Sequence, residues 1–183
     1  MKIPQWPQFN TEEIEKVKEI MLSGKVNYWN GNEGILFEKE FAEWCSTKYA
    51  ICLANGTLAL TAAYKSLGIG EGDEVITTPR TFIATSSSLV LLNAKPIFAD
   101  VDKDSGSITA ESIEPLITKR TKAIAVVHLG GWPANMPSIC ALAKSYGNPS
   151  IGGKKYPSMD TVKKLTSEIH EINRELLVFM DYE

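Results

Sequence analysis

Behind Asn10, apolar side chains recur at helical spacing as Ile14, Val17, Ile20 and Met21, with Glu13 three positions past the Asn, and the run stops at Ser23-Gly24. The pattern predicts a helix with a signal at each end. Residues 35–45 set Phe37, Phe41 and Trp44 among Glu38, Lys39, Glu40 and Glu43, which predicts a second, amphipathic helix. The rhythm then changes. Short apolar runs at 49–53, 74–78, 96–99 and 123–128 alternate with helical stretches at 57–67, 83–92, 110–117 and 138–146. Parallel strands need a crossover of a dozen or more residues between them, so this alternation predicts an α/β fold with a mostly parallel sheet and helices on its faces.

Past Gly147 the texture differs. Residues 148–157 are rich in turn-formers and read as a loop. Residues 159–174 carry Val162, Leu165, Ile169 and Ile172 at helical spacing, and the strand-like 176–180 leads into Asp181-Tyr182-Glu183. This divides the chain into residues 1–147 and a loop-helix-strand tail, 148–183. A length of 183 residues suits one compact domain. The basic residues are scattered and the net charge is −3, so a nucleic-acid backbone is not an expected partner. Nor is a membrane: no run approaches the roughly 20 apolar residues of a span, and residues 1–10 lack the charge and apolar pattern of a leader, which points to the cytoplasm. Cys45, Cys52 and Cys140 match no disulfide framework and no metal spacing, so they are expected as buried free thiols, with no metal centre.

Chemistry is expected where strands hand over to helices. Ala54-Asn55-Gly56-Thr57 is such a junction. Free backbone N–H groups and the helix dipole there favour an anion, Gly56 permits close approach, and Thr57 offers a hydroxyl; the alternative is that Thr57 caps the helix. Gly68-Ile69-Gly70-Glu71-Gly72 runs the other way, from helix to strand, and its glycines serve to end the helix. Thr78-Pro79-Arg80-Thr81-Phe82 follows the second strand and sets Phe82 where a planar ligand can stack, or where a core aromatic can pack. His128-Leu129-Gly130-Gly131-Trp132-Pro133 follows the next strand and reads equally as a binding loop or as a tight connection with a buried histidine.

Taken in order, these segments resemble the DegT/DnrJ/EryC1/StrS aminotransferases. The resemblance runs from about Phe9 to Gly147 and rests on 25–31 (Lys-Val-Asn-Tyr-Trp-Asn-Gly), 37–42, 54–60, 70–76, 81–85, 98–102 and 128–136. It implies the large domain of a fold-type I pyridoxal-phosphate (PLP) enzyme, a three-layer sandwich that is incomplete here. By resemblance, Gly56 and Thr57 bind the cofactor phosphate and Phe82 stacks on the pyridine ring. The Asn-Tyr-Trp and Gly-Gly-Trp-Pro segments look most like the perosamine-synthase branch, which implies transfer of an amino group from glutamate to a nucleotide-linked keto sugar by a homodimer.

The sequence departs from that pattern after Gly147. Residues 177–181 stand as the displaced strand whose Asp181 would pair with the pyridine nitrogen, or as an unrelated tail. Lys154 and Lys155 precede Asp181, the reverse of the family's order for its covalent lysine. The expectation is therefore an incomplete or inactive aminotransferase polypeptide, the alternative being a non-catalytic phosphate-binding or interaction module.

Overall fold

A computed structural model of the chain describes residues 7–146. Where the size of the chain suggested one unit, there are two, divided between Cys52 and Leu53. The expected boundary at 147, the tail helix and strand, and Asp181 lie outside the described residues.

The N-terminal unit opens with α1, Thr11–Ser23. Its start is a capping box: Asn10 Oδ1 accepts from the Glu13 N–H at 2.9 Å and the Glu13 carboxylate accepts from the Asn10 N–H at 2.7 Å, so two otherwise unpaired donors are satisfied reciprocally. Gly24, at φ 67°, closes the other end. Helix α2 spans Glu33–Trp44. From it Glu38 accepts the Tyr28 hydroxyl at 3.3 Å with one oxygen and the Cys52 N–H at 2.7 Å with the other. The second bond bears on a correction. Residues 49–53 were expected as a strand, but the chain there enters no ladder among the described residues, and the Cys52 amide goes to a side chain instead.

Gly31 is required where it stands. A Cβ there would collide with the Lys25 carbonyl oxygen and lie 2.9 Å from that of Asn27, which accepts the Gly31 N–H at 2.8 Å. Both obstacles are backbone, so neither can swing away. Gly31→Ala is expected to cost about 1–3 kcal/mol, as overpacking does elsewhere, and to do so locally: proteolytic cleavage within 24–32 should accelerate while the second unit keeps its urea midpoint.

The second unit begins with α3, Gly56–Ser66, and continues through β1 (Glu74–Thr77), α4 (Ala84–Leu91), β2 (Lys95–Phe98), α5 (Ala110–Ile113), β3 (Thr121–Ile124) and α6 (Met136–Ser145). The three strands are parallel in the order β2-β1-β3. All four residues of the central β1 are buried. Successive side chains on a strand point to opposite faces, and β1 divides accordingly. Val75 packs with Tyr64, Ile69, Leu89 and Ala94, from α3, α4 and the segments after them. Ile76 packs with Ala99, Ile108, Ile113, Ala134 and Ile139, drawing on α5 and α6. Helices thus cover both faces of a parallel sheet, the expected α/β sandwich.

Local chemistry explains the remaining differences. The helix expected over 110–117 stops at Ile113 and finishes as a 3-10 turn, Glu114–Leu116, because Pro115 has no N–H for a helical bond. Strand β3 ends before residue 128, and past it the Thr77 hydroxyl donates to the Ala125 carbonyl at 2.9 Å. The thiols are free but not buried: Cys45 is half-buried, and Cys52 and Cys140 are exposed. Cys140 follows the buried Ile139 on α6, and a step of one residue turns about 100° around a helix, away from the core. Among the described residues no helix is long and apolar enough to cross a membrane.

Candidate functional site

The carboxyl end of β1 and the N-termini of α3 and α4 carry the candidate residues. At α3 the cap is Asn55, not Thr57: Asn55 Oδ1 accepts from the Leu58 N–H at 3.0 Å, and the Asn55 carbonyl accepts from the Ala59 N–H. This removes the alternative in which Thr57 caps the helix. It also leaves the Gly56 and Thr57 N–H groups and the Thr57 hydroxyl without a partner among the described residues. The first turn of α3 holds no acidic side chain, whereas that of α1 has Glu12 and Glu13. The partial positive charge of the α3 N-terminus is therefore not offset from within the helix.

This turn is fixed to its neighbour. The Ser88 hydroxyl of α4 donates to the Thr57 carbonyl at 3.2 Å, and the buried Tyr64 hydroxyl of α3 donates to the Thr85 carbonyl at 3.1 Å. Two side-chain bonds in opposite senses hold the helices together, and the same helix pair carries both Thr57 and, just ahead of α4, Phe82. The Phe82 ring is 55% exposed, too open for the core aromatic that was its alternative. Its connection is held at both ends: the Arg80 N–H donates to Thr78 Oγ1 at 3.0 Å, and the Thr81 and Thr85 hydroxyls share a bond of the same length.

The loop after β3 is closed by its histidine. His128 is half-buried, and its Nδ1 accepts from the Ala134 N–H at 3.1 Å, which closes residues 128–134 on themselves. Gly130 and Gly131 take φ of 65° and 76°, which only glycine adopts at low cost. In this arrangement His128 shapes the loop and leaves Trp132 64% exposed at its tip. Among the described residues no three His, Cys, Asp or Glu side chains gather as a metal site.

The sequence profile of the DegT/DnrJ/EryC1/StrS aminotransferase family matches residues 7–151. The chain belongs to that family. Within it, the spore coat polysaccharide biosynthesis protein SpsC of Bacillus subtilis is 40% identical over 141 residues, which make up 77% of this chain and 36% of SpsC. The aminotransferase from Psychrobacter cryohalolentis is 52% identical at a TM-score of 0.76, covering 80% of this chain and 37% of that one. NtdA from Bacillus subtilis, solved with bound cofactor PMP, is 30% identical at a TM-score of 0.71, over 80% of this chain and 35% of its own. The chain thus spans well under half the length of these DegT-family relatives.

Sequence reasoning missed the division of labour at the turn. Asn55 caps, and the Thr57 hydroxyl is not drawn into that role. The signal was present, since Asn is among the best N-cap residues and stands directly before the first helical residue.

Proposed function

We propose that this DegT-family chain provides the phosphate- and ring-binding part of a PLP-dependent aminotransferase that passes an amino group from glutamate to a nucleotide-linked keto sugar, as one half of a homodimer. The observation that carries the reading is the first turn of α3, where the Gly56 and Thr57 amides and the Thr57 hydroxyl have no partner among the described residues while Asn55 takes the capping role. That donor set fits a phosphate: each N–H is aligned with the helix axis, and the dipole adds to their attraction for an anion. The names of the relatives support the class, one an aminotransferase and one solved with PMP, the aminated form of the cofactor. SpsC, by its name, serves polysaccharide biosynthesis, which agrees with a sugar as acceptor.

In this reading Gly56 and Thr57 hold the phosphate through their amides, and the Thr57 hydroxyl adds a third donor. Phe82 lies against the pyridine ring and keeps water from that face. Asp181 is the residue we assign to the ring nitrogen, where a carboxylate favours the protonated ring. When bound, the cofactor supplies the electron sink that makes amino transfer possible.

Titration of the purified protein with PLP, followed by absorbance, is expected to saturate. Thr57→Ala should weaken binding about tenfold, since a hydrogen bond to a charged group is worth about 1.5–3 kcal/mol. A wild-type protein that takes up no PLP would end this proposal. Saturable binding with no amino transfer is expected both of this part alone and of the alternative, a non-catalytic cofactor-binding module; amino transfer to a nucleotide-linked keto sugar would exclude that alternative.

A further inference from the structure

Arg80 has no part in the site as described, yet its side chain bridges two segments that the sheet alone does not join. Its Nη1 donates to the Gly106 carbonyl at 3.3 Å. The acceptor sits in a rigid turn. Asp102 Oδ1 accepts from the Ser105 N–H and hydroxyl, both at 2.8 Å, and from the Asp104 N–H at 3.2 Å. The Gly106 N–H donates to the Asp102 carbonyl at 2.8 Å, and Val101 and Ile108 pair across the base. Gly106 is shaped to the arginine as well as to the turn. It holds φ at +67°, and a Cβ there would run into Arg80 Nη1 and stand 3.0 Å from Cζ. The guanidinium fills the space that the missing side chain leaves.

At its other end Arg80 belongs to the connection that carries Phe82, two residues on. That connection is held at Thr78 and at Thr81–Thr85, and those bonds are all local to it. The bond to Gly106 spans 26 positions in sequence, and among the described residues it is what ties the Arg80 side chain to an element outside β1 and α4.

We propose that Arg80 is a positioning residue for Phe82: by tying the β1–α4 connection to the Asp102–Gly106 turn, it fixes where the aromatic ring stands at the carboxyl end of the sheet. The cofactor part of this inference rests on the PLP reading above; the tether does not. A single exposed bond to a carbonyl is modest in energy, but it acts on the loop whose place decides whether a ring can stack.

Hydrogen exchange of the ligand-free protein tests the tether. In Arg80→Met, amides over residues 80–87 are expected to exchange about five- to tenfold faster, with Arg80→Lys between it and the wild type because an ammonium can still reach one carbonyl. Gly106→Ala should loosen the same amides, since its Cβ expels the guanidinium, and Arg80→Met should add nothing to it there. The PLP titration tests the consequence: Arg80→Met should bind about fivefold more weakly, partly restored in Arg80→Lys. Wild-type exchange over 80–87 in Arg80→Met would overturn the proposal, as would faster exchange with unchanged PLP affinity. If the wild type takes up no PLP, the cofactor reading has failed on its own account, and the exchange experiment still decides whether Arg80 holds the loop.

Discussion

Ile76→Ala is expected to lower the stability of the second unit by about 3–4 kcal/mol, in the middle of the range for emptying a fully buried aliphatic site. Ile76 is wholly shielded from solvent. It lies on the central strand, paired on one side with Ile97 and on the other with Ile124, so the surrounding backbone cannot collapse into the vacated space without breaking a ladder. Domains of this size have about 5–15 kcal/mol in total, and a loss on this scale should move the urea midpoint far downward. Val90→Ala on α4, where the side chain is 59% exposed, should move it by less than about 0.5 kcal/mol. Equal shifts from the two substitutions would mean that Ile76 does not hold the core as described.

Glu74→Gln is expected to cost about 2 kcal/mol at neutral pH and much less in acid. The carboxylate is buried at the start of β1, where the Thr118 hydroxyl donates to one oxygen and Arg120 donates to the other, from Nε at 3.0 Å and Nη2 at 2.6 Å. The Thr118 hydrogen bond, then that of Arg120, holds the Glu74 carboxyl below its ordinary range, against the opposing effect of burial. A carboxyl whose folded pKa lies below its unfolded one stabilises the fold above the unfolded value, about 4.3 for Glu, and that contribution is lost as pH falls through the folded pKa. Gln keeps the shape and removes the charge, and hydrogen bonds to charged groups are worth about 1.5–3 kcal/mol. Urea unfolding at pH 7 and again below pH 4 should therefore show a gap between wild type and variant that narrows in acid. A gap that persists unchanged would assign the cost to the acceptor oxygen that Gln replaces with a donor and not to charge. Arg120 is mostly exposed, so the variant strands no buried cation, which keeps the comparison clean.

What the sequence made legible divides by the range of the interaction. The ends of α1 were readable because a capping box involves residues three apart, Asn10 and Glu13, and needs nothing from the rest of the chain. The β-α alternation was readable because burial on both faces leaves β1 with no polar face to show, and Glu74, its one charged residue, is paired at the strand's edge. Residues 49–53 misled for the opposite reason: an apolar run names no partner, and a strand exists only in its pairing. At the site, the Gly56-Thr57 turn was visible as a junction, and the family resemblance implied a phosphate for it. Invisible were the bonds over distance, Ser88 to Thr57, Tyr64 to Thr85 and Arg80 to Gly106, since no local pattern records which side chain will reach which carbonyl.

The caps on α1 have a last consequence, for how the molecule melts. No residue of α1 is buried, and Ile14, Val17, Met21 and Leu22 all stand more than half exposed. A helix of 13 residues held mainly by its ends is marginal in water, and helix-to-coil change in so short a segment is gradual with temperature. The far-ultraviolet ellipticity of the protein should accordingly decline on a slope well before the sheet gives way, so a midpoint fitted to that signal with a flat native baseline will fall below the one reported by the buried residues around Ile76.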